Sequence, residues 1–142
     1  IRDRYLGRVS GPLLDRIDLH IEVPPVDFRD LSNTAKEESS ASIKARVDAA
    51  RDIQNKRFAN TGITCNAQIS PEMLHEVCRT APAADALLKN AFEKFGLSAR
   101  AYDRVLKVSR TIADLDNSRD IEARHAAEAV RYRTLDRKYW TR

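Results

Sequence analysis

Gly96, Leu97 and Ser98 leave the backbone few choices. A glycine at the end of an apolar stripe closes a helix in the left-handed C′ conformation, which residues with a side chain adopt only at a cost. A serine two residues on is a strong helix N-cap, and Leu97 before it pairs with Tyr102 at the fourth helical position as a hydrophobic staple. The spacing predicts a helix from Ser98 whose face of Tyr102, Val105, Leu106, Ser109, Ile112 and Ala113 points to a core. Arg100, Arg104 and Lys107 fall together on the opposite face and give the helix a basic outer edge.

The same punctuation recurs on both sides. Pro82 opens the helix that Gly96 closes, with Ala83, Leu87, Leu88, Ala91, Phe92 and Phe95 as its stripe. Ser70 and Pro71 open a shorter helix with Met73, Leu74, Val77 and Cys78 on its buried edge, after a short extended stretch over 65–69. Upstream, Asn33 or Thr34 can cap the longest helix, with Glu37 and Glu38 in its first turn. Ile43, Val47, Ala50, Gln54 and Phe58 form its stripe until Asn60-Thr61-Gly62 ends it. Downstream, Asp116-Asn117-Ser118 makes a turn, and Asp120 can cap a last helix running to about Tyr132.

Only residues 18–23 alternate polar and apolar at period two, as a half-buried strand does, and Pro24 and Pro25 stop it. The fold class expected is therefore mainly α, a bundle of four to five helices preceded by an amino-terminal strand remnant. A lone strand is not stable by itself, so it is expected to belong to a sheet formed by residues outside this chain. The first residue, Ile1, and the single methionine, Met73, agree with a piece of something longer.

At 142 residues, 32% charged and 42% hydrophobic, the chain suits one soluble globular domain. No apolar run approaches a membrane span and no signal-peptide pattern opens it, which reads as cytoplasmic with no membrane partner. A net charge of +4 permits nucleic-acid contact without demanding it. Cys65, Cys78 and His75 are too few for a structural zinc, so free thiols and no metal are expected. The glycines are Gly7, Gly11, Gly62 and Gly96, and none forms a phosphate-binding loop before a lysine. With no marked nucleophile set either, the chain alone is not expected to be an enzyme.

Two arginines stand out. Arg16 lies between Asp15 and Asp18 at the mouth of the strand, where a weak surface ion pair is the plain reading. Arg100 lies two residues inside a helix start, where a cation opposes the macrodipole and an anion is welcome. Pattern alone leaves Arg100 between a solvated surface residue and an anion ligand.

SGPLLDRIDLHIEV at 10–23, AARDIQNKRF at 49–58, GLSARAYDRVLKVSRTIADL at 96–115 and HAAEAVRYRTLDR at 125–137 resemble the carboxy-terminal part of the bacterial magnesium-chelatase-like AAA+ ATPases of the ComM (YifB) family. The resemblance implies an AAA+ division of the chain. Residues 1–30 are the incomplete end of the α/β ATPase core with strand and hinge, and residues 31–142 are the helical lid. It implies that Arg16 is an arginine finger reaching the ATP site of a neighbouring subunit, steadied by its flanking aspartates. Arg100 matches the sensor-2 arginine that contacts the γ-phosphate, with Arg104 as the alternative.

The resemblance further implies ATP and Mg2+ as cofactors of the parent protein, and no ligand for this piece alone, which lacks Walker A and Walker B. The partners it implies are other subunits of a homo-oligomeric ring, hexameric in the parent, and DNA remodelled by branch migration during natural transformation. Lys107, Arg131 and Arg133 are candidate DNA contacts, together with Arg137, Lys138 and Arg142 of the tail. The prolines make residues 23–28 a stiff hinge for lid movement.

Other readings compete with this one. A stand-alone helical DNA-binding module would use the last three helices, but its basic residues are spread rather than gathered on one helix. A chelatase-type ATPase subunit acting on a protein partner, or an adaptor presenting an apolar stripe, would leave DNA out.

Overall fold

The computed structural model of the chain describes residues 11–25 and 37–133. Six α-helices lie within them: α1, Gly11–Leu14; α2, Ser40–Arg57; α3, Pro71–Val77; α4, Pro82–Phe95; α5, Ala99–Leu115; and α6, Ala123–Arg131. A 3-10 turn, Asn66–Gln68, precedes α3 where an extended stretch was expected. The fold is mainly helical, as the sequence predicts.

Local chemistry sets most boundaries where the residues say. Gly96 is left-handed at φ 56°, and the Ser98 hydroxyl accepts from the Ala101 amide at 3.1 Å. Ser70 and Pro71 start α3, and Asn117 takes a positive φ of 51° in the turn after α5. Two starts move. The α2 cap is Ser39, whose hydroxyl accepts from the Ser42 amide at 3.2 Å, so Glu37 and Glu38 precede the helix; Asn33 and Thr34 lie outside the described residues. Glu122, not Asp120, caps α6, in a reciprocal box with His125. There the Glu122 amide donates to His125 Nδ1 at 3.0 Å, which leaves Nε2 to donate to Asp116 at 2.9 Å.

Packing centres on α5 and α6. Helix α6 lies against both α4 and α5, while α2, α3 and the 3-10 turn cover the other side of α5. Phe58, Ile69, Leu74, Leu88, Val105, Leu106, Ile121 and Val130 fill the core. Burying side chains of this size is favourable by about 1.5–3 kcal/mol each. Burial also pushes the Cys78 thiol up to about 11; Cys78 and the half-buried Cys65 are both free. A single parallel bridge between Thr80 and Ile121 ties the α3–α4 loop to the start of α6.

Two stripes are rotated or shortened relative to the pattern. In α4 the buried positions are Ala84, Leu88 and Ala91, with Ala83 in solvent and Phe92 at the rim in an edge-to-face contact with Tyr102. In α2 only Ala50 and Gln54 are buried, and Ile43 and Val47 are exposed, so the first half of the helix extends beyond the bundle.

A polar cluster sits within this core. Asp114 accepts from Arg57 at 2.5 and 2.7 Å, from Arg110 Nε at 3.1 Å and from Asn66 at 2.8 Å. Arg110, 1% exposed, spends its other nitrogens on the carbonyls of Ser118 and Arg119 at 2.6 and 2.8 Å. Burial lowers the Arg110 pKa and the Asp114 carboxylate opposes that. Every donor of such a guanidinium must find an acceptor, or its burial is expensive. The cluster thereby pins α2, the 3-10 turn, α5 and the loop after it to one another.

Residues 18–23 form no sheet ladder among the described residues. They run along the bundle without regular secondary structure, bending at Asp18, and only His20 is buried, with its amide donating to the Tyr132 carbonyl at 2.9 Å. Leu19, Ile21 and Val23, the apolar half of the alternation, face outward. A strand forms where it has an edge to pair with, and these described residues offer none.

A candidate nucleotide-contact site

The basic edge of α5 is not the free surface that its pattern suggests. Together with residues 18–21 and the end of α6 it walls a groove of about 510 Å³. The cations Arg100, Arg104 and Lys107 line it together with the apolar Val108 and Ile112 of α5 and Leu19 and Ile21 of the amino-terminal segment. The cations do not behave alike. Arg104 is ion-paired to Asp18 across the groove. Lys107 is half-buried and donates to the Ala67 carbonyl at 3.3 Å. Arg100 is exposed and makes no ion pair among the described residues.

Arg100 occupies the second position of α5. The Ser98 hydroxyl takes the third amide of the helix, leaving the amides of Ala99 and Arg100 without an intrahelical partner. Free amides, the positive helix end and an uncommitted guanidinium fork together suit a phosphate group, which an arginine can hold by two parallel hydrogen bonds.

Arg16 lies outside the groove, on the turn that closes α1. Its amide donates to the Leu13 carbonyl at 3.0 Å while its side chain is exposed. The neighbouring aspartates do not steady it, contrary to the expectation. Asp18 is held by Arg104. Asp15 lies 3.5 Å from Arg133 and accepts from the Ser98 hydroxyl at the same distance. Arg16 is left without an ion pair among the described residues.

Of the residues expected at DNA, Arg131 is exposed on the last turn of α6. Arg133 is buried, 3% exposed, with its guanidinium donating to the Ile17 carbonyl, so it fastens the amino-terminal segment instead of facing solvent. Arg137, Lys138, Arg142 and the second half of the 23–28 hinge lie outside the described residues. Among the described residues no group of three or more His, Cys, Asp or Glu side chains could hold a metal ion, and no helix is long and apolar enough to cross a membrane.

Sequence reasoning overlooked the partners, Arg133 for Asp15 and Arg104 for Asp18, because they lie 118 and 86 residues apart along the chain. It also overlooked Arg110 and Asp114. That pair did leave a signal: two opposite charges at i and i+4 on the row that continues Leu106, beside the apolar stripe.

The bundle thus presents two exposed arginines without an ion pair among the described residues, one at a helix start and one at a turn. The chain belongs to the magnesium chelatase ChlI family: residues 37–133 match the model described as magnesium chelatase, subunit ChlI C-terminal, and residues 1–31 match magnesium chelatase, subunit ChlI. The family is one of ChlI/ComM-like AAA+ ATPases that depend on ATP and Mg2+ and typically form oligomeric rings. The chain is 43% identical over 135 residues to the competence protein ComM of Haemophilus influenzae, covering 94% of this chain and 26% of that protein. It is 44% identical to YifB of Escherichia coli over the same shares, and 38% identical over 112 residues to the Rv2897c protein of Mycobacterium tuberculosis, covering 79% and 22%. It thus spans about a quarter of the length of the curated relatives it matches.

Proposed function

We propose that this chain is the helical lid, with the end of the ATPase core, of a ring-forming AAA+ ATPase, and that it serves two nucleotide sites. Arg16 is the arginine finger, acting on the ATP of a neighbouring subunit. Arg100 is the sensor-2 residue, contacting the γ-phosphate of its own. The observation that carries this reading is the freedom of Arg16: it is flanked by two carboxylates, yet both are engaged by arginines from the helical bundle. An arginine finger must be uncommitted until the transferring phosphoryl group arrives, where it can raise the rate on the order of 10³-fold or more. The ion pair of Arg104 with Asp18 favours Arg100 over Arg104 at the phosphate.

Hydrolysis is coupled in this reading to DNA remodelling, specifically branch migration during natural transformation. What supports that is the competence protein among the relatives and the solvent-facing Arg131. The ring is hexameric, and the protein works in the cytoplasm.

The test is DNA-stimulated ATPase turnover of the full-length protein. Arg16→Ala and Arg100→Ala should assemble yet lose hydrolysis. A mixture of Arg16→Ala with a Walker A variant should recover part of it, because each supplies what the other lacks across the subunit boundary. Unchanged turnover in either single variant removes that residue from the site. Weaker DNA binding with a shallower salt dependence for Arg131→Ala would support the DNA contact.

A further inference from the structure

We propose that Arg104 and Arg133 are positioning residues for Arg16, clamping the turn that carries it to the helical bundle so that the finger moves with the lid of its own subunit. This rests on the reading of Arg16 as a finger.

The clamp is visible residue by residue. Within the turn, Arg16 and Ile17 donate their amides to the Leu13 and Leu14 carbonyls, both at 3.0 Å. Around it, four residues are tied to the bundle: the Asp15 carboxylate to Arg133 and Ser98, the Ile17 carbonyl to Arg133, Asp18 to Arg104, and the His20 amide to the carbonyl of Tyr132. The His20 ring, also buried, lies 3.2 Å from the Leu14 carbonyl. The Arg16 side chain is exposed, as are Ile17, Asp18 and Leu19 beside it, but of the charged groups in the turn it alone has no ion pair among the described residues.

Arg133 shows that the attachment is specific. Its side chain is 2% exposed, and its guanidinium meets the turn through a hydrogen bond to the Ile17 carbonyl and a longer ion-pair contact of 3.5 Å with Asp15. On the other flank, Arg104 stands one helical turn from Arg100 on α5. A shift of α5 on phosphate contact at Arg100 is therefore passed to Asp18, two residues from Arg16. The clamp couples the nucleotide state of one subunit to the finger offered to the next. A reactive group displaced by about 1 Å can lose roughly 10²-fold in rate, so such a coupling needs only a small movement.

The experiment measures ATP turnover of the full-length protein for Asp18→Arg, Arg104→Asp and the double charge reversal, which exchanges the two ends of the partly exposed Arg104 pair. The expected result is a kcat lowered about 10- to 100-fold in each single variant with KM unchanged, and most of it restored in the double variant. Each single variant should also recover part of its turnover when mixed with a Walker A variant, as Arg16→Ala does, because only its finger is out of place. Arg133→Lys should keep part of the kcat and Arg133→Gln lose it, at unchanged oligomeric state.

Restoration by charge reversal separates positioning from direct phosphate contact, since an aspartate at position 104 could not serve a phosphate. Wild-type kcat in both single variants, or no recovery in the double variant, overturns the clamp while the finger reading stands on Arg16→Ala. Unchanged turnover in Arg16→Ala overturns both.

Discussion

Asp114 answers two guanidinium groups at once, and the side chains around it leave water no part in doing so. Its removal strands Arg110 in the core with a charge that only backbone carbonyls face. Breaking a buried pair from one side costs about 3–5 kcal/mol. Asp114→Asn should therefore lower the melting temperature by roughly 10 °C or more, measured by circular dichroism, while Asp48→Asn on the exposed Lys44 pair should leave it nearly unchanged. Asp116 acts differently. Its hydrogen bond from His125, with Arg124 nearby, holds its pKa below the usual 3.8. A carboxylate with a depressed native pKa adds stability above its unfolded pKa, and that contribution is lost as pH falls through the native value. The urea midpoint should thus decline below about pH 4, and Asp116→Asn should flatten that part of the profile.

Among the elements, α2 is the one whose pattern promises more burial than it has. Its stripe begins at Ile43, but the bundle reaches only Ala50, Gln54 and Phe58, and the half that extends outward carries its own i,i+4 pair between Lys44 and Asp48. Val47→Ser should change unfolding free energy by no more than about 0.5 kcal/mol, as a surface substitution does, whereas Leu88→Ala in α4 should cost about 2–5 kcal/mol. Chemical denaturation of the two variants checks both figures. The caps divide in the same way. Ser98 and Gly96 were legible because their partners lie within four residues, while Glu122 caps α6 through a histidine whose other nitrogen needs Asp116. A box that depends on a residue from the preceding turn has no signature within the helix itself.

At the scale of the molecule, the amino-terminal segment lies along the bundle through polar contacts while Leu19, Ile21 and Val23 face outward. Hydrogen exchange should accordingly find the His20 amide slowed by its bond to Tyr132, and the amides of Ile21 and Val23 exchanging faster than it.

Five of the six described helices and most of their ends could be read from the chain alone, since capping, periodicity and glycine geometry act over a few residues, whereas the short helix Gly11–Leu14 carries no such pattern. The residues alone could not say which charges were free. Arg16, Arg100, Arg104, Lys107 and Arg133 look alike in sequence, and the fold made one a buried fastener, one an ion pair, one a half-buried donor to a loop carbonyl, and left two uncommitted. That sorting depends on pairs such as Asp15 with Arg133, joined only when the two ends of the described chain pack together. An ion pair is worth little until burial and geometry define it, and tertiary structure alone supplies those.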